Sequence, residues 1–256
     1  LVGSAWGFLL ARIVSLLMYG YVIAIRDKLM VFSMEGFGRS CTDILHVGLP
    51  AIASNSVAPF SMAIVTKLIA GHGAAVVAGF SAAARIEAMI MMVLFALANS
   101  IAPFVGQNWG AGMFARVKEA LRLADGFVFV WGIFSYVVLF LCAEIALSAI
   151  NNDPEVVKAG TAYLHIVPLG IAFMGLILNA TSSFNALGKP MPPLIISTLQ
   201  MIVIYLPLAM LLDYFWGYTG IFAAAVVTML VVGIIAKLWI RKEIEVGVQS
   251  RQAHNV

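Results

Sequence analysis

The sequence predicts an all-α membrane protein, a polytopic transmembrane helix bundle of about seven spans. Three observations lead there. Hydrophobic residues make up 62% of the 256-residue chain and charged residues 11%, whereas a soluble domain carries about 25% charged residues. The mean hydropathy is +1.02, with apolar runs that reach the ~20 residues a helix needs to cross a bilayer. Those runs are continuous rather than alternating, and in lipid only helices and closed barrels satisfy every backbone group.

The first run covers residues 3–25, and "RDKLMVFSMEGFGRS" follows it. The stretch 26–43 is expected to be a polar linker with a short surface-lying amphipathic helix, which Gly36 and Gly38 weaken. The second run, 44–70, stops at "GHG", and the third covers 74–106 before "NWGAGMFARVKEA". The fourth, 120–149, ends at "NNDPEV", where proline and short polar residues mark a joint. The fifth, 158–186, gives way to "LGKPMPP"; the sixth, 192–213, to "DYFWGY". The seventh covers 218–240, and residues 242–256 are expected to form a polar, fraying tail.

Charge sets an expected orientation. The first, third and fifth joints and the C-terminal end hold Arg26, Lys28, Arg39, Arg116, Lys118, Arg122, Lys189, Lys237, Arg241, Lys242 and Arg251, while the other joints hold only Lys67 and Lys158. Basic loops stay in the cytoplasm, so the N-terminus is expected outside and the C-terminus inside. The chain begins at Leu1 with no charged leader, and a preceding span is expected upstream. Cys41 and Cys142 have neither metal nor redox spacing and read as free thiols.

Pro50, Pro59, Pro103, Pro168 and Pro207 fall within or at the edges of spans. Each removes a backbone donor, so bent or broken helices of a moving protein are expected. Asn55, Asn99, Asn179, Asn185 and Gln200, inside or near the spans, are candidates to line a cavity and hydrogen-bond substrate. Bonds between such groups contribute only about 0.6–2 kcal/mol each, so plain packing is the competing reading. Met89, Met91 and Met92 read as an adaptable apolar wall or as core and lipid contacts.

Arg85 and Glu87 carry more information. A charge at mid-bilayer costs at least ~2.5–3.5 kcal/mol and normally faces the protein interior or water. Glu87 stands thirteen residues into its run, roughly 20 Å deep at 1.5 Å per residue. Residues two apart on a helix point about 200° apart, so Arg85 and Glu87 each need another partner. Either they make static ion pairs with other helices, or they face a polar cavity, Glu87 as an ion-coupling candidate and Arg85, the weaker of the two, as a cavity or substrate contact.

Other chemistry is weakly represented. Gly106-Gln-Asn-Trp-Gly-Ala-Gly112 lacks the strand and GK[ST] ending of a phosphate loop, and Gly188-Lys189 has Ser183 where that motif wants glycine. Gly79-Phe80-Ser81-Ala82 misses the nucleophile elbow, and no span holds paired carboxylates for acid–base catalysis. Neither an enzyme, a metal site nor a nucleic-acid partner is expected.

"AAARIEAMIMMVLFALANSIAPFVGQNWGAGMFARVKEAL" resembles the eighth helix and following loop of the multidrug and toxic compound extrusion (MATE) transporters, with their VGQN-x-GAG ending. "GLPAIASNSVAPF" resembles the start of their seventh helix, and "SFNALGKPMPPLIIS" the joint between the tenth and eleventh. The resemblance covers about residues 1–245. It implies twelve helices in two six-helix lobes: residues 1–25 as the last helix of a missing N-terminal lobe, 26–43 as a cytoplasmic inter-lobe linker and 44–241 as the C-terminal lobe.

The resemblance also implies export of cationic or amphiphilic drugs and toxins in exchange for protons or sodium, by alternating access in the bacterial inner (plasma) membrane. Lipid, the missing lobe and small-molecule substrates are the implied partners, with no cofactor beyond the coupling ion. One branch binds its cation through a glutamate where Ala58 stands here and an aspartate near Met174. Another uses the first lobe. Members with "RIE" turn the acid toward the second-lobe cavity, matching Glu87. Ion coupling through Glu87 and coupling through the absent lobe both remain open. The alternatives are a lipid-linked oligosaccharide or polysaccharide flippase, for which only Arg12 and Arg85 would serve pyrophosphate, and a non-transporting scaffold or degenerate fragment.

Overall fold

The computed structural model describes residues 2–26 and 36–254. The surface helix expected within the linker falls largely on residues outside that range. Among the described residues seven helical stretches are long and apolar enough to cross a membrane, and there are no strands. By its contacts the chain divides after Leu45. In the first unit, helix α1 (Val2–Gly20) passes into a π-helical turn, Tyr21–Arg26. Its side chains are largely exposed, and Arg12 lies over the Phe8 ring one turn earlier, 4.9 Å from its centroid.

The second unit holds the core. Helix α2 (Phe37–Ala70) enters it at His46, and α3 (Ala74–Gly110) and α4 (Phe114–Ser148) follow. The fifth span joins α5 (Pro154–Ile166), a 3-10 turn (Val167–Gly170) and α6 (Ile171–Ala186). The sixth joins α7 (Met191–Thr198), a π-helical segment (Leu199–Tyr205) and α8 (Leu206–Trp216); α9 runs from Tyr218 to His254. Helix α3 packs on α5 and α6, α4 on α6 and α5, and α9 on α6 and α8.

The joints follow from local chemistry. Asp153 caps α5 by accepting from the Glu155 amide at 2.9 Å, with Pro154 in the first helical position where no donor is needed. Gly112 turns the chain between α3 and α4 at φ +72°, a left-handed conformation that costs glycine least. Where α3 crosses α5, a Cβ on Gly79 would meet the Val156 carbonyl at 2.5 Å and the Gly160 amide at 2.8 Å. That approach leaves no room for a side chain, as is usual where helices associate in lipid by close packing.

Two apolar clusters fill the unit, one toward each end. The first gathers Phe80, Tyr163, Leu164, Ile221 and Phe222 with the ends of the helices that meet at 71–73, 149–153 and 217. The second gathers Ile101, Val105, Val117, Phe184, Ile196, Ile240 and Ile244 toward the joints at 111–113 and 187–190. We call these the aromatic end and the basic end.

Some sequence expectations need correction. Pro50 and Pro59 lie inside one continuous helix, as does Pro103. Besides the π-helical turn that ends the first span, the described spans change helix type at the turn containing Pro168 and at the segment just before Pro207. Residues 37–43, expected as linker, are helical in α2. The tail expected to fray continues α9 to His254. Its first turns are packed: Ile244 is buried, Glu243 pairs with Lys189, and Arg241 pairs with Glu245. A Cβ on Gly247 would strike Trp109 at 2.5 Å. Cys41 and Cys142 are both free.

Candidate functional site

Glu87 sits on α3 among residues of the aromatic-end core, one turn from buried Ala83 and Met91. Tyr163 of α5 donates its hydroxyl to Glu87 Oε2 at 2.5 Å. Tyr205, at the end of the π-helical segment, packs against the same apolar cluster. The Trp131 indole of α4 donates to the Ile90 carbonyl at 3.2 Å, tying the next stretch of α3. Among the described residues no cation pairs with Glu87 and no hydrogen bond reaches its Oε1.

The phenol partner is itself fixed. Tyr163 packs edge-on against Phe80 and Phe222, with centroids 5.4 and 5.0 Å away. Phe222 meets Tyr218, Tyr218 meets His72, and His72 Nε2 bonds Asp213 Oδ1 at 2.6 Å. A continuous series of contacts thus joins the carboxylate to the turn that closes α2. Such rings lose little freedom on packing, which suits them to holding a hydroxyl at a set position.

The other sequence candidates distribute differently. Arg85 is exposed and makes no ion pair among the described residues, consistent with the ~200° that separates it from Glu87. Gln200 is buried, and its Nε2 approaches Met174 Sδ at 3.7 Å. Asn179 is buried, while Asn55, Asn99 and Asn185 are on the surface. Of the methionines, Met91 enters the core and Met89 and Met92 face outward. Ser56 and Ser100 donate to carbonyls one turn back in their own helices, whereas Ser182 of α6 reaches the Ala98 carbonyl of α3 at 2.6 Å.

A half-buried ion pair had no clear signal in the sequence. Asp125 of α4 pairs with Lys237 of α9, Oδ2 to Nζ, at 3.2 Å. The same lysine lies 5.7 Å from the Phe129 ring centroid. Asn179 of α6 stands beside Asp125, though neither of its side-chain polar atoms completes a hydrogen bond. The signal available was a lone acid and a lone base just inside spans that end on the same side. The described residues hold no cluster of metal-ligating side chains.

Comparison with known proteins places this arrangement. The chain is 29% identical over 235 residues to the FAD transporter of Shewanella oneidensis, covering 91% of this chain and 52% of that one. It is 23% identical over 216 residues to a probable multidrug resistance protein NorM of Thermotoga maritima, covering 83% and 47%. The bent form of the Vibrio cholerae MATE transporter VcmN superposes with a TM-score of 0.81 at 27% identity, covering 88% and 52%. A MOP superfamily transporter of Pyrococcus furiosus shares the fold, with a TM-score of 0.85 at 20% identity over 96% and 57%. The chain therefore spans about half the length of these relatives, which fits one half of such a transporter. The MatE family profile matches residues 50–211, more than half of the sequence, and the chain belongs to this family of membrane transporters, which are not enzymes.

Proposed function

We propose that the chain forms the second lobe of an ion-coupled exporter of cationic or amphiphilic drugs and toxins, exchanging them for protons or sodium by alternating access. The observation that carries this reading is the Glu87–Tyr163 pair: an acid set well inside a span and held by a neutral donor. A carboxylate in that setting is costly unless it is neutralised. A proton or a sodium ion at Oε1 does so without stranding a counter-charge, and losing it returns the site to its first state. Exchange needs such a two-state group, whose occupancy biases which side the lobes open to.

The expected orientation places the basic end in the cytoplasm of a bacterial cell. The coupling ion is the only cofactor this reading needs; the first lobe, membrane lipid and the exported compound are its partners. The test uses the full-length protein in proteoliposomes under imposed proton or sodium gradients. Glu87→Gln should abolish drug-driven ion flux, and Tyr163→Phe should reduce it about tenfold, as for a lost hydrogen bond to a charged group. Normal flux in Glu87→Gln would move coupling to the other lobe.

A second reading has one observation in its favour, the FAD transporter named above, similar over nearly all of this chain. A flavin dinucleotide is anionic where the first reading wants a cation. Uptake of FAD into inverted vesicles, with no ethidium uptake, would decide for the dinucleotide.

A further inference from the structure

At the basic end, α4 and α9 diverge around a cleft of about 570 Å³. Lys118, Arg122 and Asp125 face it from α4, and Lys237, Arg241 and Glu245 face it from α9. Both acids are already engaged, Asp125 by Lys237 at 3.2 Å and Glu245 by Arg241 at 3.7 Å. Lys118 and Arg122 are exposed and have no carboxylate partner among the described residues. Two uncompensated cations, one turn apart, are thus held at one mouth.

The remaining wall is apolar, with Leu121, Phe129, Ile240 and Ile244. At Gly126 there is open space where a side chain would stand. Beyond the cleft α4 exposes Leu123, Val130, Ile133 and Phe134, surface that only lipid or another apolar partner covers. A small hydrated anion would gain from the cations but not from these walls. An amphiphile with a phosphate head and acyl chains gains from both.

We propose that this cleft binds the head group of an anionic phospholipid, its phosphate on Lys118 and Arg122 and its chains along the apolar flank of α4. Arginine offers a planar fork to phosphate oxygens and lysine a mobile point charge, a usual division of labour. The site rests on membrane insertion and on charge. It is independent of what the lobe exports and of which leaflet this end faces.

The test is native mass spectrometry of the full-length protein in a nonionic detergent, titrated with phosphatidylglycerol or with phosphatidylcholine of identical chains. Two cations at a lipid surface predict a preference of about 30-fold for phosphatidylglycerol. Lys118→Gln with Arg122→Gln should remove it, and the exchange Lys118→Arg with Arg122→Lys should keep it. Gly126→Trp should weaken binding with no change of charge, by filling the cleft. Equal binding of the two lipids by the unmodified protein overturns the proposal without recourse to any variant. So does a preference that survives in the double glutamine variant, or unchanged binding by Gly126→Trp. Displacement of phosphatidylglycerol by an equal concentration of glycerol 3-phosphate would also overturn it, revealing a site for a soluble phosphate.

Discussion

The two ends of the lobe each hold a half-buried acid, and they satisfy it in opposite ways. At the aromatic end Glu87 receives a hydrogen bond from the neutral phenol of Tyr163. At the basic end Asp125 is matched by the full charge of Lys237. Neutralising Glu87 leaves nothing unpaired. Neutralising Asp125 strands a lysine, and an uncompensated charge in a partly desolvated place is costly. On the reading proposed above, the first arrangement suits a group that changes charge state, whereas the second resists doing so. The charge of the partner, more than depth in the membrane, separates a switch from a lock.

The largest effect should come from the rings that hold Tyr163. Phe222 is buried between Phe80 and Tyr163, and Phe184 is equally buried at the basic end, against Trp239. Truncating a buried phenylalanine to alanine costs about 3–5 kcal/mol, so both Phe222→Ala and Phe184→Ala should lower the melting temperature of the purified full-length protein by similar amounts. Only Phe222→Ala should also impair ion-coupled flux, because it frees the phenol that holds the carboxylate. Equal losses of flux in the two variants would break the comparison.

An intermediate effect belongs to the lock. Lys237→Met leaves Asp125 without its cation, but the lysine is 38% exposed and water screens part of the loss. A cost of about 1–2 kcal/mol is expected, between the values for surface and for buried pairs. Adding Asp125→Asn should restore most of it in thermal melts, and the double variant should keep its ion coupling. If it melts normally but no longer couples, the basic end contains the switch instead.

Much of the fold was legible in the sequence because lipid imposes long uninterrupted helices, and seven runs matched seven helical stretches. Ends were harder to read. The tail looks polar, yet Ile244 and Gly247 pack in α9 against residues more than fifty positions earlier, and no local pattern reports that. Proline was an incomplete guide too, since Pro50, Pro59 and Pro103 are carried within continuous helices. Glu87 stood out because an acid among apolar residues is rare. Asp125 and Lys237 did not, because each lies near a joint where charge is ordinary. Their pairing exists only once α4 and α9 are brought side by side. The phenol of Tyr163 was equally invisible, since a tyrosine in a span reads as packing until its hydroxyl is seen to meet an acid.

The smallest effects should come from the ion pairs at the two surfaces, and they test whether the ends are held by rings and side-chain packing or by charge. His72 and Asp213 connect a turn to α8 at the aromatic end, and Lys189 and Glu243 connect a turn to α9 at the basic end. All four side chains keep between 23% and 50% of their surface exposed, and pairs of that kind contribute roughly 0.2–1 kcal/mol. Asp213→Asn and Glu243→Gln should therefore shift the melting temperature by no more than a few degrees, and less in high salt. Asp213→Asn carries the sharper consequence, because His72 also meets Tyr218, the outermost ring of the series leading to Tyr163. If its cost approached that of Phe222→Ala, the series would be anchored at the turn, and Glu87 would be held in place from the surface inward.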